Sequence, residues 1–132
     1  MTNATIPQSH RDLLEKNQVV ILTTKGKDGF PQTTALWYVV DDQGTVRLSI
    51  NTARQKAKNL QRDGESSMFF MDPESPYRTL EIRARAKVEP DPDYALADQV
   101  GAKYGADLRE MDQPGETRVA VTMEPVKVHT FG

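Results

Sequence analysis

The segment Arg78–Asp91, "RTLEIRARAKVEPD", decides the fold. Leu80, Ile82, Ala84, Ala86 and Val88 fall on one side of a two-residue repeat, and Glu81, Arg83, Arg85, Lys87 and Glu89 on the other. Successive side chains of a strand point to opposite faces, so this spacing describes a long strand with one packed and one wet face. The flanking sequence extends the pattern. "VVILTTK", from Val19, and "FPQTTALWYVVDD", from Phe30, read as strands joined by the Asp-Gly hairpin signal Gly26–Gly29. After a turn at Asp42–Gly44, "TVRLSIN" alternates Val46, Leu48 and Ile50 inward. "SSMFFMD" is a further strand ending at the Pro-rich bend "PESPY". "RVAVTMEPVKVHTF" supplies one or two last strands, broken at Glu124–Pro125. The spacing predicts about six strands in mostly sequential antiparallel order, hence a mainly β barrel or meander with short helices.

Three short helices are expected. "SHRDLLEKN" starts at Ser9 as N-cap and turns Leu13 and Leu14 inward. A second runs over about 53–62, with Thr52 and Gln55 as a capping box. A third starts at Asp91 as N-cap with Pro92 at its first position, repeats Leu96, Val100 and Tyr104, and closes at Gly105. "DLREMDQPGET" reads as a polar loop, and Trp37 and Tyr38 as core residues.

Composition narrows the function. The 132 residues, 1–132, fit a single domain, and 37% hydrophobic residues allow only a thin core that dimerisation would extend. A net charge of -2 disfavours a general nucleic-acid binder. The absence of cysteine excludes disulfides, thiol catalysis and cysteine-ligated metals, and His10 and His129 are too far apart in sequence to point to a metal site. No apolar run reaches membrane-spanning length, and "MTNATIPQSH" lacks the apolar core of a signal peptide, so no membrane association and a cytoplasmic location are expected.

The second helix carries the main functional signal. Its first turns hold Arg54, Lys56 and Lys58 with no acid before Asp63. That end of a helix is the positive end of the macrodipole, and each cation there costs about 0.3–1 kcal/mol unless an anion joins them. One reading is a solvated basic surface. The other is a phosphate site built from these cations, the free helix-start N–H groups and the Asn59 amide. Gln32, Thr33 and Thr34 put polar groups on both faces of their strand, which suits contact with a flat polar ring. Tyr77 and Arg78 read either as a loop aromatic and a surface cation, or as an aromatic wall and a positive group over a ligand. Asp41 and Asp42 read as solvated turn carboxylates, and Arg118 ranks low. No nucleophile stands with a base and an orienting acid. An anion site without a nucleophile points to a bound cofactor.

The succession "ILTTKGKDGFPQTTALWYVV", "LSINTARQKAKNLQRD", "PYRTLEIRARAKVEPDPD" and "RVAVTMEPVKV" resembles the pyridoxamine 5′-phosphate oxidase-like split β-barrel superfamily, and within it the branch that binds the deazaflavin coenzyme F420. The likeness runs from about Ile6 to Phe131. It implies a homodimer with two cofactor sites at the subunit interface. It implies that Arg54, Lys56, Lys58 and Asn59 hold the cofactor phosphate. The ring would lie along Gln32, Thr33 and Thr34 and along Ser49, Ile50 and Asn51. Tyr77 and Arg78 would come from the partner or close the site. The flavin-using oxidases that are similar carry a basic Arg-x-x-Leu-Leu-Lys-like run where this chain reads "ALWYVVDD", which disfavours FMN and vitamin B6 oxidation. The expected function is a coenzyme F420-dependent reductase that passes hydride to an unsaturated small molecule. Tyr77 or bulk water would be the proton donor, and no metal is needed. A coenzyme carrier without turnover and an FMN enzyme of the same fold are the alternatives.

Overall fold

The structure, a computed structural model, describes residues 4–132. Seven strands form one curled antiparallel sheet, a split β-barrel half, in the order β2-β1-β5-β6-β7-β4-β3. They are β1 Val20–Lys25, β2 Pro31–Leu36, β3 Val39–Val40, β4 Val46–Asn51, β5 Glu65–Asp72, β6 Ser75–Pro90 and β7 Arg118–Phe131. The helices are α1 Leu13–Lys16, α2 Gln55–Arg62, α3 Ala95–Tyr104 and α4 Leu108–Met111.

The alternation in β6 is as expected. Leu80, Ile82 and Ala84 are buried and Ala86 and Val88 half-buried against the core, which also takes Leu22, Leu48, Met68, Phe70 and Val121. On the wet face Arg83 meets Glu81 at 3.6 Å, Lys87 meets Glu89 at 3.3 Å, and Arg85 turns to Glu65 at 3.6 Å. Pro125 does not break the last strand. Ala84 pairs with Pro125 and Arg83 with Lys127, so Val126 is an extra residue that absorbs the missing N–H as a bulge.

The expected second strand divides at Trp37–Tyr38. Tyr38 is fully buried, and its hydroxyl donates to the Leu14 carbonyl at 2.7 Å. Its backbone leaves the ladder for α3: the Tyr104 hydroxyl accepts from Tyr38 N–H at 3.2 Å, and Lys103 Nζ donates to the Tyr38 carbonyl at 2.8 Å. Trp37 stacks on Tyr104 at 4.6 Å beneath the same helix.

The helix starts differ from the sequence reading. A 3-10 turn, Gln8–His10, precedes α1, and Ser9 Oγ sits 2.8 Å from His10 Nδ1 rather than capping the helix. Helix α3 begins four residues after Asp91, because Tyr94 adopts φ 60. The Asp91 carboxylate still satisfies the helix, accepting from the N–H groups of Ala95, Leu96 and Ala97 at 2.9–3.2 Å. The polar loop contains α4, capped by Asp107, whose side chain accepts from Arg109 N–H.

Candidate functional site

The start of α2 is reached from the end of β4, and the expected capping box is absent there. Thr52 Oγ1 lies 2.8 Å from Thr117 Oγ1 and Gln55 donates to Asn59, so neither caps the helix. Arg54, extended at φ -77 and ψ 143, is the N-cap and offers no side-chain acceptor. The N–H groups of Gln55 and Lys56 have no acceptor among the described residues. Arg54 and Lys58 are exposed and Lys56 half-buried, and none of the three meets a carboxylate among the described residues. Burial, then the charge of Arg54, pushes the Lys56 ammonium below the usual lysine range. An anion here would meet uncapped amides and a partly desolvated cation, which is the chemistry a phosphate needs.

Asn59 lies behind this surface, fully buried. Its Nδ2 donates to Gln32 Oε1 at 2.7 Å and Thr24 Oγ1 at 3.0 Å, and its Oδ1 accepts from Gln55 and Arg62. Its amide is spent within the protein, linking α2 to β1 and β2 rather than facing an anion. Gln32 and Gln55 both line a cleft of about 540 Å³ between the β1–β2 hairpin and α2, beside the exposed Phe30 and Lys27.

On β2 the three polar residues separate by face. Thr33 turns to the outer face and shares a 3.0 Å hydroxyl contact with Thr23. Thr34 follows Gln32 on the inner face, and its buried Oγ1 has no hydrogen-bond partner among the described residues. An orphaned buried hydroxyl costs stability, so a polar group brought within reach of it would be favoured.

At the end of β4, Ile50 is core, while Ser49 and Asn51 join a network the sequence did not disclose. Arg118 Nη1 donates to Ser49 Oγ at 3.2 Å, and Asn51 Nδ2 donates to Asp112 at 2.9 Å and Glu116 at 3.0 Å. Asn51 Oδ1 accepts from Ala53 N–H, which shapes the turn into α2. Asn51, which bonds both to this network and to the Ala53 N–H, connects it to the α2 cluster. Arg118 carried no sequence signal, because its partner Asp112 lies across a loop that reads as polar.

Tyr77 and Arg78 are not brought to α2 within one chain. Arg78 Nη1 donates to Asp72 at 2.9 Å, and its guanidinium also binds Asp12 and the Ser9 carbonyl. Hydrogen bonds from Arg78 hold the Asp12 carboxyl down to about 2. Tyr77 is 77% exposed beside them.

A family model described as pyridoxamine 5′-phosphate oxidase matches residues 6–132, nearly the whole described chain. The chain belongs to the pyridoxamine 5′-phosphate oxidase family. Among solved structures this family member is similar to an F420 reductase, at 30% identity and TM-score 0.79 over 94% of this chain and 98% of that one. It is similar to a conserved hypothetical protein from Mycobacterium tuberculosis, at 26% identity and TM-score 0.77 over 99% of this chain and 88% of that one. It shares the fold of the heme storage protein HutZ from Vibrio cholerae, at 17% identity and TM-score 0.74 over 98% and 96% of the two chains. No curated protein matches at a significant level. The same fold is shared by proteins named for different ligands, so the side chains must argue which one suits this chain.

Proposed function

We propose that this protein is an oxidoreductase working with the deazaflavin coenzyme F420 and reducing an unsaturated small molecule such as a quinone or enone. One observation carries the reading: α2 begins without a cap and bears three cations that have no carboxylate partners among the described residues. The 30% identity to an F420 reductase over nearly both full chains supports it. Arg54, Lys56 and Lys58 bind the coenzyme phosphate together with the Gln55 and Lys56 amides. Asn59 holds Gln32 in place, Thr34 Oγ1 meets the ring edge, and Ser49 and Asn51 set the path of the chain into α2. When bound, the reduced coenzyme supplies a hydride. The protein orients it and keeps water from the buried side of the ring.

Two chains share the sites in this reading. The outer sheet face exposes Phe69, Met71 and Phe131, and Tyr77 stands nearby at the sheet end. A partner seated there brings its Tyr77 and Arg78 toward a site they do not reach within one chain, and the working location is the cytoplasm.

Parallel titrations with coenzyme F420 and FMN test the reading. Tighter binding of the deazaflavin is expected, because the 35–42 stretch lacks the basic residues of the flavin-using oxidases. Tighter FMN binding overturns the choice. Turnover of a quinone and enone panel by the loaded protein then separates a reductase from a carrier.

A further inference from the structure

The side-chain amides of Gln32, Asn59 and Gln55 form a chain whose direction is set from one end. Arg62 Nη2 donates to an Asn59 side-chain atom at 3.2 Å and also to the Lys25 carbonyl. A guanidinium has donors and no acceptor, so the Asn59 atom it faces must be the oxygen. Asn59 Nδ2 therefore faces the opposite way, toward Thr24 Oγ1 and Gln32 Oε1. Gln55 must offer its own nitrogen to Asn59 Oδ1, at 2.9 Å. Asn59 is fully buried, so neither end can turn to water instead. Each glutamine is left with one unlike end. Gln32 keeps its N–H groups and Gln55 keeps its carbonyl oxygen, and neither has a partner among the described residues. Both residues line the cleft by the β1–β2 hairpin, whereas Arg62 does not.

We propose that this cleft reads a lactam or imide edge, with Gln32 Nε2 donating to the exocyclic oxygen and Gln55 Oε1 accepting from the ring N–H, and that Arg62 sets this polarity through Asn59. The proposal deepens the coenzyme reading and rests on it for the ring's identity, since the pyrimidinedione part of a flavin or deazaflavin presents such an edge. Arg62 is a positioning residue. It has no need to touch the ligand, because reversing Asn59 would reverse both glutamines.

Lumiflavin is the probe. It presents the ring edge without a phosphate, so the cations of α2 drop out of the measurement. Gln32→Glu keeps the bond from Asn59 and places an acceptor where a donor stood. Gln55→Glu keeps an acceptor toward the cleft and gives up its donor to Asn59 Oδ1, which still accepts from Arg62. Both changes add the same charge, and melting of the ligand-free variants reports their folding separately. Lumiflavin fluorescence titration should show Gln32→Glu binding about tenfold more weakly than the parent and Gln55→Glu within about threefold of it. On the Arg62→Met background the gap between the two variants should close to about threefold or less, because Asn59 can then turn over. Equal losses, the opposite order, or no lumiflavin binding by the parent overturns the edge recognition. A gap that persists without Arg62 overturns its role. Coenzyme F420 titration of the parent is a separate arm. Coenzyme binding without the lumiflavin asymmetry sinks this inference alone, and the asymmetry without coenzyme binding sinks the coenzyme reading alone.

Discussion

Asp112 and Arg118 form a two-point ion pair, with Arg118 Nε donating to Asp112 Oδ2 at 2.8 Å and Nη2 to Oδ1 at 3.0 Å. Their side chains are 4% and 9% exposed. Asn51 and Tyr94 donate to the same carboxylate, so the pair fastens the loop before β7 to the turn that feeds α2.

Breaking this pair should be costly. Asp112→Asn leaves the Arg118 charge without a counter-charge in a nearly dry place, and a loss of about 3 kcal/mol is expected in urea unfolding. Replacing both partners with apolar residues of similar size should recover most of it. Acid should act through the same residue. Burial raises the Asp112 carboxyl, but hydrogen bonds from Arg118, Tyr94 and Asn51 outweigh it and hold the group down to about 2. A depressed carboxyl stabilises fully above its unfolded value of about 3.9 and loses that contribution as pH falls through the folded value. The parent should lose stability over this acid window, and Asp112→Asn should decline less steeply. Parallel slopes would show that the pair does not govern acid unfolding.

The α2 cations should matter to binding and not to folding. A hydrogen bond to a charged group contributes about 1.5–3 kcal/mol, so Lys56→Ala should weaken coenzyme binding by about 10- to 150-fold. The ligand-free protein should melt at the same temperature or slightly higher, because a cation leaves the positive end of a helix. Rising salt should weaken binding. Coenzyme titration and melting of Arg54→Ala, Lys56→Ala and Lys58→Ala decide the matter. Parent-like binding by all three places the anion elsewhere.

Alkaline pH should separate binding from stability. Burial first, and Arg54 second, depress the Lys56 ammonium. The folded state therefore favours neutral Lys56, and its penalty, full at lower pH, is relieved as pH rises through the lowered value toward the ordinary lysine value of about 10.4. Ligand-free stability should gain from this group in that window, while anion binding, which needs the charge, should fall. Affinity that stays flat in the parent and in Lys56→Arg alike up to that range would refute the role of Lys56.

Thr34→Val should move stability and binding in opposite directions. The Thr34 hydroxyl is buried without a partner, and an unsatisfied buried group costs about 1–3 kcal/mol. Valine has the same shape without that group, so the ligand-free protein should gain about 1 kcal/mol. Coenzyme binding should weaken if the hydroxyl meets the ring. A variant that is neither more stable nor weaker in binding would show that Thr34 is satisfied in solution.

Self-association should depend on the outer sheet face. Phe69, Met71 and Phe131 are 40%, 45% and 66% exposed on it. Phe69→Glu should convert a dimer into a monomer of 14.8 kDa in sedimentation. A parent that already sediments at 14.8 kDa would remove the shared-site account.

The alternation from Leu80 to Val88, the Asp28–Gly29 hairpin and the Gly105 helix end were legible without coordinates. Each depends on residues within a few positions of one another: a strand's period of two, and backbone conformations with positive φ at Gly29 and Gly105. The cations of α2 were legible for the same reason, as a conflict between charge and helix direction. Where polar side chains find partners was not. Tyr38 leaves its strand because Lys103 and Tyr104 arrive from α3 to satisfy its backbone. Thr52 abandons the cap for Thr117, and Asn59 turns inward to Gln32 and Arg62. Arg118 finds Ser49 only after β4 and β7 pair. Periodicity is a property of neighbours along the chain, so the sequence by itself determined most of the strands and the basic helix start. A hydrogen bond needs its two groups within about 3 Å, so its partners are decided only when distant segments pack.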